Sequence, residues 1–399
     1  MERRTARRQF LRLGATAGAL GMAGCTSGFS PAPRPSSAAT DTGDFRIGVL
    51  LPATAAGDSI RAGMRLYMQE VGAQAGGRRI VDVAGVEDLV SPAASLEAVR
   101  RLVEGEGVEL VAGCLGSTPA LAVRDYVDGR RVPTLIAGTG AVALSRGRRS
   151  PYVYRASYSN WQLGQPFGSV LVRRGIRRLA LLSAGDSDGV ELAAAVKESY
   201  TGQVVVEARM AAGGDYGAVM DQVNDAGPDA VCALLAGADA AAFLKLARAQ
   251  LAPGIQVTGS GFLVEPDVLG AVGEAAPVGA VTGLHWAPGL AYAENRAFTA
   301  AFQRAYGRPA DVHALHGFDT ARVVVEALGA VRGRTADRRA FLRAISAVAF
   351  TSPRGRFRFD AGSNSVVDTL YVRQLEADPG QGLANKVVGS VPNVADPGR

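Results

Sequence analysis

Residues 45–71 read FRIGVLLPATAAGDSIRAGMRLYMQEV. Phe45–Leu51 is a short apolar run that Pro52 follows, the pattern of a strand buried on both faces. From Ser59 to Val71 the period changes: Ile60, Met64, Tyr67 and Met68 recur at helical spacing. The same unit repeats downstream. Short runs at Ile80–Val86, Val108–Ala112, Thr134–Ala137, Leu179–Ser183, Val204–Ala208, Ala230–Leu235, Ile255–Thr258 and Ala280–Leu284 predict strands. Helical patterns such as Ala93–Glu104, Asp239–Gln250 and Asn295–Tyr306 lie between them. Alternation of this kind predicts an α/β protein with parallel sheets covered by helices on both faces. Such sheets bind ligands at the carboxyl ends of their strands. The end of the chain breaks the pattern. Gly317–Val331 and Arg338–Val348 read as helices, Arg356–Phe359 and Val366–Leu375 as a hairpin-like strand pair, and 376–399 as a loose polar tail.

Composition removes several classes. Hydrophobic residues are 48% of 399 and charged residues 20%, too apolar for a disordered chain. Three cysteines exclude a disulfide-dense scaffold, and no segment after the leader carries 18 consecutive apolar residues, which excludes a polytopic membrane protein. The net charge of +6 is concentrated at the start, where Arg3, Arg4, Arg7, Arg8 and Arg12 face only Glu2. The remaining arginines are scattered among acids, and Lys197, Lys245 and Lys386 are the lysines. No basic stripe interleaved with aromatics appears, so nucleic acid is not an expected partner.

The first 25 residues read as an address. A basic segment precedes a weakly apolar stretch from Leu13 to Gly24, too short to span a bilayer. Arg7-Arg8-Gln9-Phe10-Leu11 resembles the twin-arginine export signal, and Met22-Ala23-Gly24-Cys25 resembles a bacterial lipobox, with Met where Leu is usual. The resemblance implies lipidation of Cys25 and a place on the outer face of the cytoplasmic membrane. Residues 26–44, rich in Ser, Pro, Ala and Gly, read as a tether. Cys114 and Cys232 flank apolar strands; a disulfide is open to them outside the cytoplasm, but two free buried thiols are expected of a chain folded before export.

Three local patterns carry possible chemistry. Gly185-Asp186-Ser187-Asp188-Gly189 follows a strand and opens a helix, the setting of a nucleophile elbow. With His285, His313 and His316 downstream, an exported serine hydrolase using Ser187 is the alternative function, although no His precedes 285 to build an oxyanion loop. The competing reading is a turn with Ser187 or Asp188 capping the helix. Gly138-Thr139-Gly140-Ala141-Val142-Ala143 matches a dinucleotide pattern, but 156–164 lacks the ribose-binding acid, so no cofactor is expected. His313 and His316 share a helix face at i, i+3 without companion ligands other than Asp311 and Asp319, so no metal is expected.

Taken together, FRIGVLLP (45–52), SIRAG (59–63), GCLGSTPALAV (113–123), PYVYR (151–155), GPDAVCALL (227–235), DAAAFLKLARA (239–249), 273–279, FDTARVVVEAL (318–328) and GRFRFD (355–360) resemble the branched-chain amino-acid binding proteins, the solute receptors of ABC importers. That resemblance implies the type I periplasmic-binding-protein fold: two Rossmann-like lobes joined by a three-crossing hinge. One lobe is expected at 45–156 plus 285–352 and the other at 157–284 plus 353–390, with 391–399 a loose tail. It implies a small-molecule solute between the lobes, a membrane permease as partner, a monomer and no enzymatic activity. A ligand-sensing subunit on the same fold is a further alternative.

The family's ligand contacts carry over in part. Its carboxylate-holding Ser matches Ser117, followed by Thr118 at a helix start, where hydroxyls and free N–H groups suit an anion. Its second loop falls at Thr139-Gly140, with the hydroxyl shifted. One lobe-two aromatic is replaced by Asp188, the other falls at Ala236-Gly237, and the acid that grips an amino group falls near Gly261, with Glu265 close by. Trp161, His285 and Trp286 are candidate replacements at the lobe junctions. The expected ligand is therefore an amino acid, an amide, another carboxylate or an aromatic acid.

Overall fold

The computed structural model describes residues 43–378 and 382–398. The first sheet contains β1 (Phe45–Leu51), β2 (Gln74–Ala75), β3 (Arg78–Val86), β4 (Leu110–Gly113), β5 (Thr134–Ile136) and β6 (Val153–Arg155), in the order β2-β3-β1-β4-β5-β6. All pairings are parallel except β2 with β3. Helices α1 (Ala55–Glu70), α2 (Pro92–Arg100) and α3 (Ser117–Arg130) connect these strands. Thr54 caps α1 and Ser91 caps α2, each accepting a first-turn N–H.

The chain then passes through α4 (Asn160–Arg173) into a second sheet. Strands β7 (Arg178–Ala184), β8 (Gln203–Met210), β9 (Ala230–Leu234), β10 (Gln256–Ser260) and β11 (Val281–Leu284) are parallel and alternate with α5 (Ser187–Ser199), α6 (Gly217–Ala226), α7 (Gly237–Gln250) and α8 (Pro266–Val272). It returns to the first lobe as α9 (Ala293–Tyr306), α10 (Val312–Ala330) and α11 (Arg338–Ser346). The α10 helix lies directly on α1. A side chain at Gly63 would stand 1.8 Å from the Ala314 carbonyl oxygen and one at Gly317 1.9 Å from that of Ile60, so only glycine permits this approach. Beside it Tyr67 meets Phe318 edge-on at 5.0 Å.

The last segment corrects the sequence reading twice. Arg356–Phe359 does not pair with Val366–Leu375 as a hairpin. Instead β12 (Ala349–Ser352) and β13 (Gly355–Arg358) form one, stacking Phe350 on Phe357 at 4.5 Å, and only the Phe359–Val366 bridge joins the two expected partners. The expected loose tail is also overturned: β14 (Asp368–Asp378) adds to β11 antiparallel, and β15 (Gly382–Val394) adds to β14, reaching to Val394 within 391–399. Most of β15 is exposed, so as an edge strand it needs backbone pairing rather than an apolar face, and its sequence shows no strand signature. Cys114 and Cys232 are free and buried. Among the described residues no helix is long and apolar enough to cross a membrane. Arg7, Arg8 and Cys25 of the expected export and lipidation signal lie outside the described residues.

The first and last passages between lobes meet at Arg354. Its guanidinium donates to the carbonyls of Ala156 and of Ser157 (2.7 Å), to Asp319 of α10 (2.9 Å) and to Asp368 of β14 (3.1 Å). Ser352 Oγ is within 2.8 Å of both Asp319 oxygens, and the Tyr371 hydroxyl donates to the Arg354 carbonyl at 2.7 Å. Burial raises both carboxyls, Asp368 to about 7, against the pull of Arg354. A carboxyl so raised adds stability while protonated; that share is full below about pH 4 and lost as pH rises through the folded value. Arg354→Ala leaves two buried carboxylates without their cation, so it is expected to cost about 3–5 kcal/mol near neutral pH. Urea denaturation checks this, and the cost should shrink as pH falls through about 7, where Asp368 takes up a proton. A pH-independent loss would mean that Arg354 acts through packing alone.

Candidate functional site

The carboxyl ends of both sheets meet at the lobe junction. Ser117 opens α3, whose N-cap is Gly116 and offers no side chain, so the Ser117 hydroxyl is free to point outward from the helix. It hydrogen-bonds Thr139 on the loop after β5. Both hydroxyl residues are buried, Ser117 at 4% exposure. Just upstream, the N–H groups of Leu115 and Gly116 donate to the Glu87 carboxylate at 2.7 and 3.0 Å. Burial pushes Glu87 up to about 7 even though these two bonds favour its charged form. Glu87 does not stand out in the sequence, where it reads with Asp88 as part of an acidic loop; its place just after β3 is its one signal.

Asp188 reaches this corner from the first turn of α5. It accepts from Ser117 Oγ at 2.6 Å and from Asn160 Nδ2 at 2.7 Å. Asn160 also donates to Glu191 at 3.0 Å, and Glu191 accepts the Val142 N–H at 2.9 Å. Burial raises the Asp188 carboxyl, with the Ser117 and Asn160 bonds opposing. Neither Ser187 nor Asp188 caps α5; Asp186 does so through the Gly189 N–H at 2.8 Å.

Beside the corner stands a wall of rings. A side chain at Gly140 would collide with Asn160 (2.1 Å) and Tyr158 (2.8 Å), so that glycine lets Tyr158 lie against the Thr139 loop. Tyr158 stacks on His285 and His316 at 5.3 and 5.7 Å and meets Phe262 at 5.5 Å, while Phe262 stacks on His313 at 5.9 Å. His285 follows β11 and His316 lies on α10; their Nε2 atoms are 2.7 Å apart, and both Nδ1 atoms lack a partner. Burial first, then nearby cations including Arg354, hold both imidazoles far below the ordinary histidine range, so they are neutral. Tyr158 and Phe262 were not anticipated from sequence, since each reads there as an ordinary apolar residue.

Other expected residues lie elsewhere. Thr118 is exposed at the start of α3. Trp161 is half-buried on α4, donating to Glu198 at 2.8 Å under the Arg146 guanidinium, away from the ring wall. Trp286 is fully buried and donates to Asn295 at 2.8 Å. At Gly261, where an amine-gripping acid was sought, a cation fills the space: Arg373 Nη2 donates to the Gly261 carbonyl at 2.8 Å, and a side chain there would strike it at 2.5 Å. Glu265 pairs with Arg373 at 3.1 Å and accepts the first N–H of α10, tying the lobes together.

The elbow and dinucleotide patterns find structural uses. Ser187 is exposed, while the Nε2 atoms of His285 and His316 face each other. Gly138–Ala143 runs into a three-residue 3-10 turn, Val142–Leu144, not the long helix that a pyrophosphate requires. Among the described residues no group of three or more His, Cys, Asp or Glu is placed to hold a metal.

Two α/β lobes meeting over a hydroxyl corner and a ring wall define a two-lobed solute receptor. The chain belongs to the periplasmic binding protein family, whose pattern matches residues 44–381. It is similar to the Leu/Ile/Val-binding protein homolog 6 of Brucella melitensis, 29% identical over 352 residues that cover 86% of this chain and 89% of that protein. The solute-binding protein of an ABC transporter from R. palustris, solved in complex with benzoate, is 30% identical with a TM-score of 0.83, covering 89% of this chain and 99% of the other. An ABC transporter substrate-binding protein from Sphaerobacter thermophilus is 31% identical with a TM-score of 0.84, covering 89% and 100%. The type I periplasmic-binding fold is thereby established, and membership in this family implies an extracytoplasmic place. The relatives are solute-binding proteins, so Ser187 is expected to resist a fluorophosphonate, and Ser187→Ala should leave the melting temperature unchanged. Stoichiometric labelling lost in that variant would reverse this reading.

Proposed function

We propose that this chain is a non-enzymatic receptor of an ABC importer, tethered by lipid at Cys25, that closes its lobes on a small organic acid and delivers it to a membrane permease. The observation that carries the ligand class is the ring wall of Tyr158, Phe262, His285 and His316 beside the Ser117–Thr139 hydroxyls. Hydroxyls suit a carboxylate and flat rings suit a planar body. Arg373 at Gly261 disfavours an ammonium group there. Aromatic acids therefore rank ahead of α-amino acids, and the benzoate-bound relative supports that order. The lobes of this reading are 45–156 with 285–352 and 157–284 with 353–390, acting as a monomer.

Thermal melting with benzoate, benzamide and leucine tests the ligand. A true ligand at about 100 times its Kd stabilises the folded state by about 2.7 kcal/mol. Benzoate should raise the melting temperature while benzamide, its neutral analogue, should not. Tyr158→Ala should weaken benzoate about 2- to 10-fold, the range of one aromatic contact. A rise with leucine alone would sink the aromatic reading. For the anchor, Cys25→Ser should move the protein from the membrane to the soluble fraction on cell fractionation. Unmodified wild-type protein recovered in the soluble fraction would refute lipidation.

A further inference from the structure

We propose that Asp188 is this receptor's own occupant of the carboxylate corner: it holds the cleft shut by taking the Ser117 hydroxyl, and a solute carboxylate has to displace it. The displacement half rests on the carboxylate reading above; the closure half does not. Ser117 Oγ and Asn160 Nδ2 both donate to the same Asp188 oxygen, at 2.6 and 2.7 Å. A solute acid would seek those same donors. Asp188 is free for this use because Asp186 already caps α5. The helix crosses the cleft a second time through Glu191, which accepts from Val142 at 2.9 Å. The adjacent N–H groups of Leu115 and Gly116 are taken by Glu87.

Acids of the protein thus satisfy the corner from three directions. The charges acting most strongly on Asp188 are two further acids, Asp186 and Glu191. A carboxylate that entered without expelling Asp188 would meet repulsion instead of a cation. Binding is then an exchange, with the solute taking donors that the side chain gives up. The wild-type affinity lies below what the corner alone supplies, and Asp188 sets the difference.

The test uses the whole receptor, wild type and Asp188→Ala, with folding checked by thermal melting. Asp188→Asn keeps the side-chain size and serves if the alanine variant folds poorly; it should show the same changes more weakly. Without ligand, small-angle scattering should give a larger radius of gyration for Asp188→Ala than for wild type. In calorimetry, Asp188→Ala should bind benzoate about 10- to 100-fold more tightly, the range of one charge-assisted hydrogen bond. That gain should largely vanish in a Ser117→Ala background, where the contested donor is gone. Weaker binding in Asp188→Ala would make Asp188 a solute contact and overturn the proposal. An equal gain in both backgrounds would reduce it to charge relief. If benzoate binds none of the proteins, the carboxylate reading fails on its own. The scattering result then decides closure, and an unchanged radius overturns it.

Discussion

The buried cation of Arg354 is the contact on which the two lobes depend. It binds the carbonyls of Ala156 and Ser157 where the chain first leaves the first lobe, Asp319 on the returning helix, and Asp368 where the chain crosses last. Taking a guanidinium and two carboxylates out of water is costly, and only near-complete hydrogen bonding makes such a cluster tolerable. The geometry provides it, apart from one Asp368 oxygen left without a partner. A hinge built this way is stiff at its centre, so opening and closing have to be absorbed by the backbone on either side.

That stiff centre also arranges the site. The first crossing carries Tyr158 and Asn160 within four residues of Ala156. The second begins at His285, directly after β11. The rings of the wall are therefore set by the hinge itself, and the corner at Ser117 meets them without any loop having to extend. Burial keeps His285 and His316 neutral, and the field of Arg354 adds to it.

The fold was legible because strand and helix periods alternate cleanly from Phe45 to Leu284, and both sheets follow that alternation. What failed was the end, where pairing depends on distant backbone. Nothing local in 382–394 announces a strand whose side chains are mostly in water. In the site, Ser117, Thr139 and Asp188 stood out because family loops point at them, and the three come together. Thr118 and Trp161 also stood in the right loops but face elsewhere, since sequence fixes a position on a helix more surely than the direction of one side chain. Glu87, Asn160, Tyr158 and Arg373 were missed because their partners lie far along the chain, and only the folded structure brings those segments together.

The glycine-mediated seam between α1 and α10 has a consequence for synthesis. The second lobe's parallel strands lie within residues 178–284, one uninterrupted stretch. The first lobe needs residues 55–70 and 312–330 against each other, so its earliest helix waits for a partner made some 250 residues later. Long-range closures of this kind are slow steps in folding. On a ribosome the inserted lobe has its strands first, while the apolar side of α1, including Ile60, Met64 and Tyr67, stays uncovered until α10 emerges. The interval between those events is when the nascent chain most needs protection from aggregation.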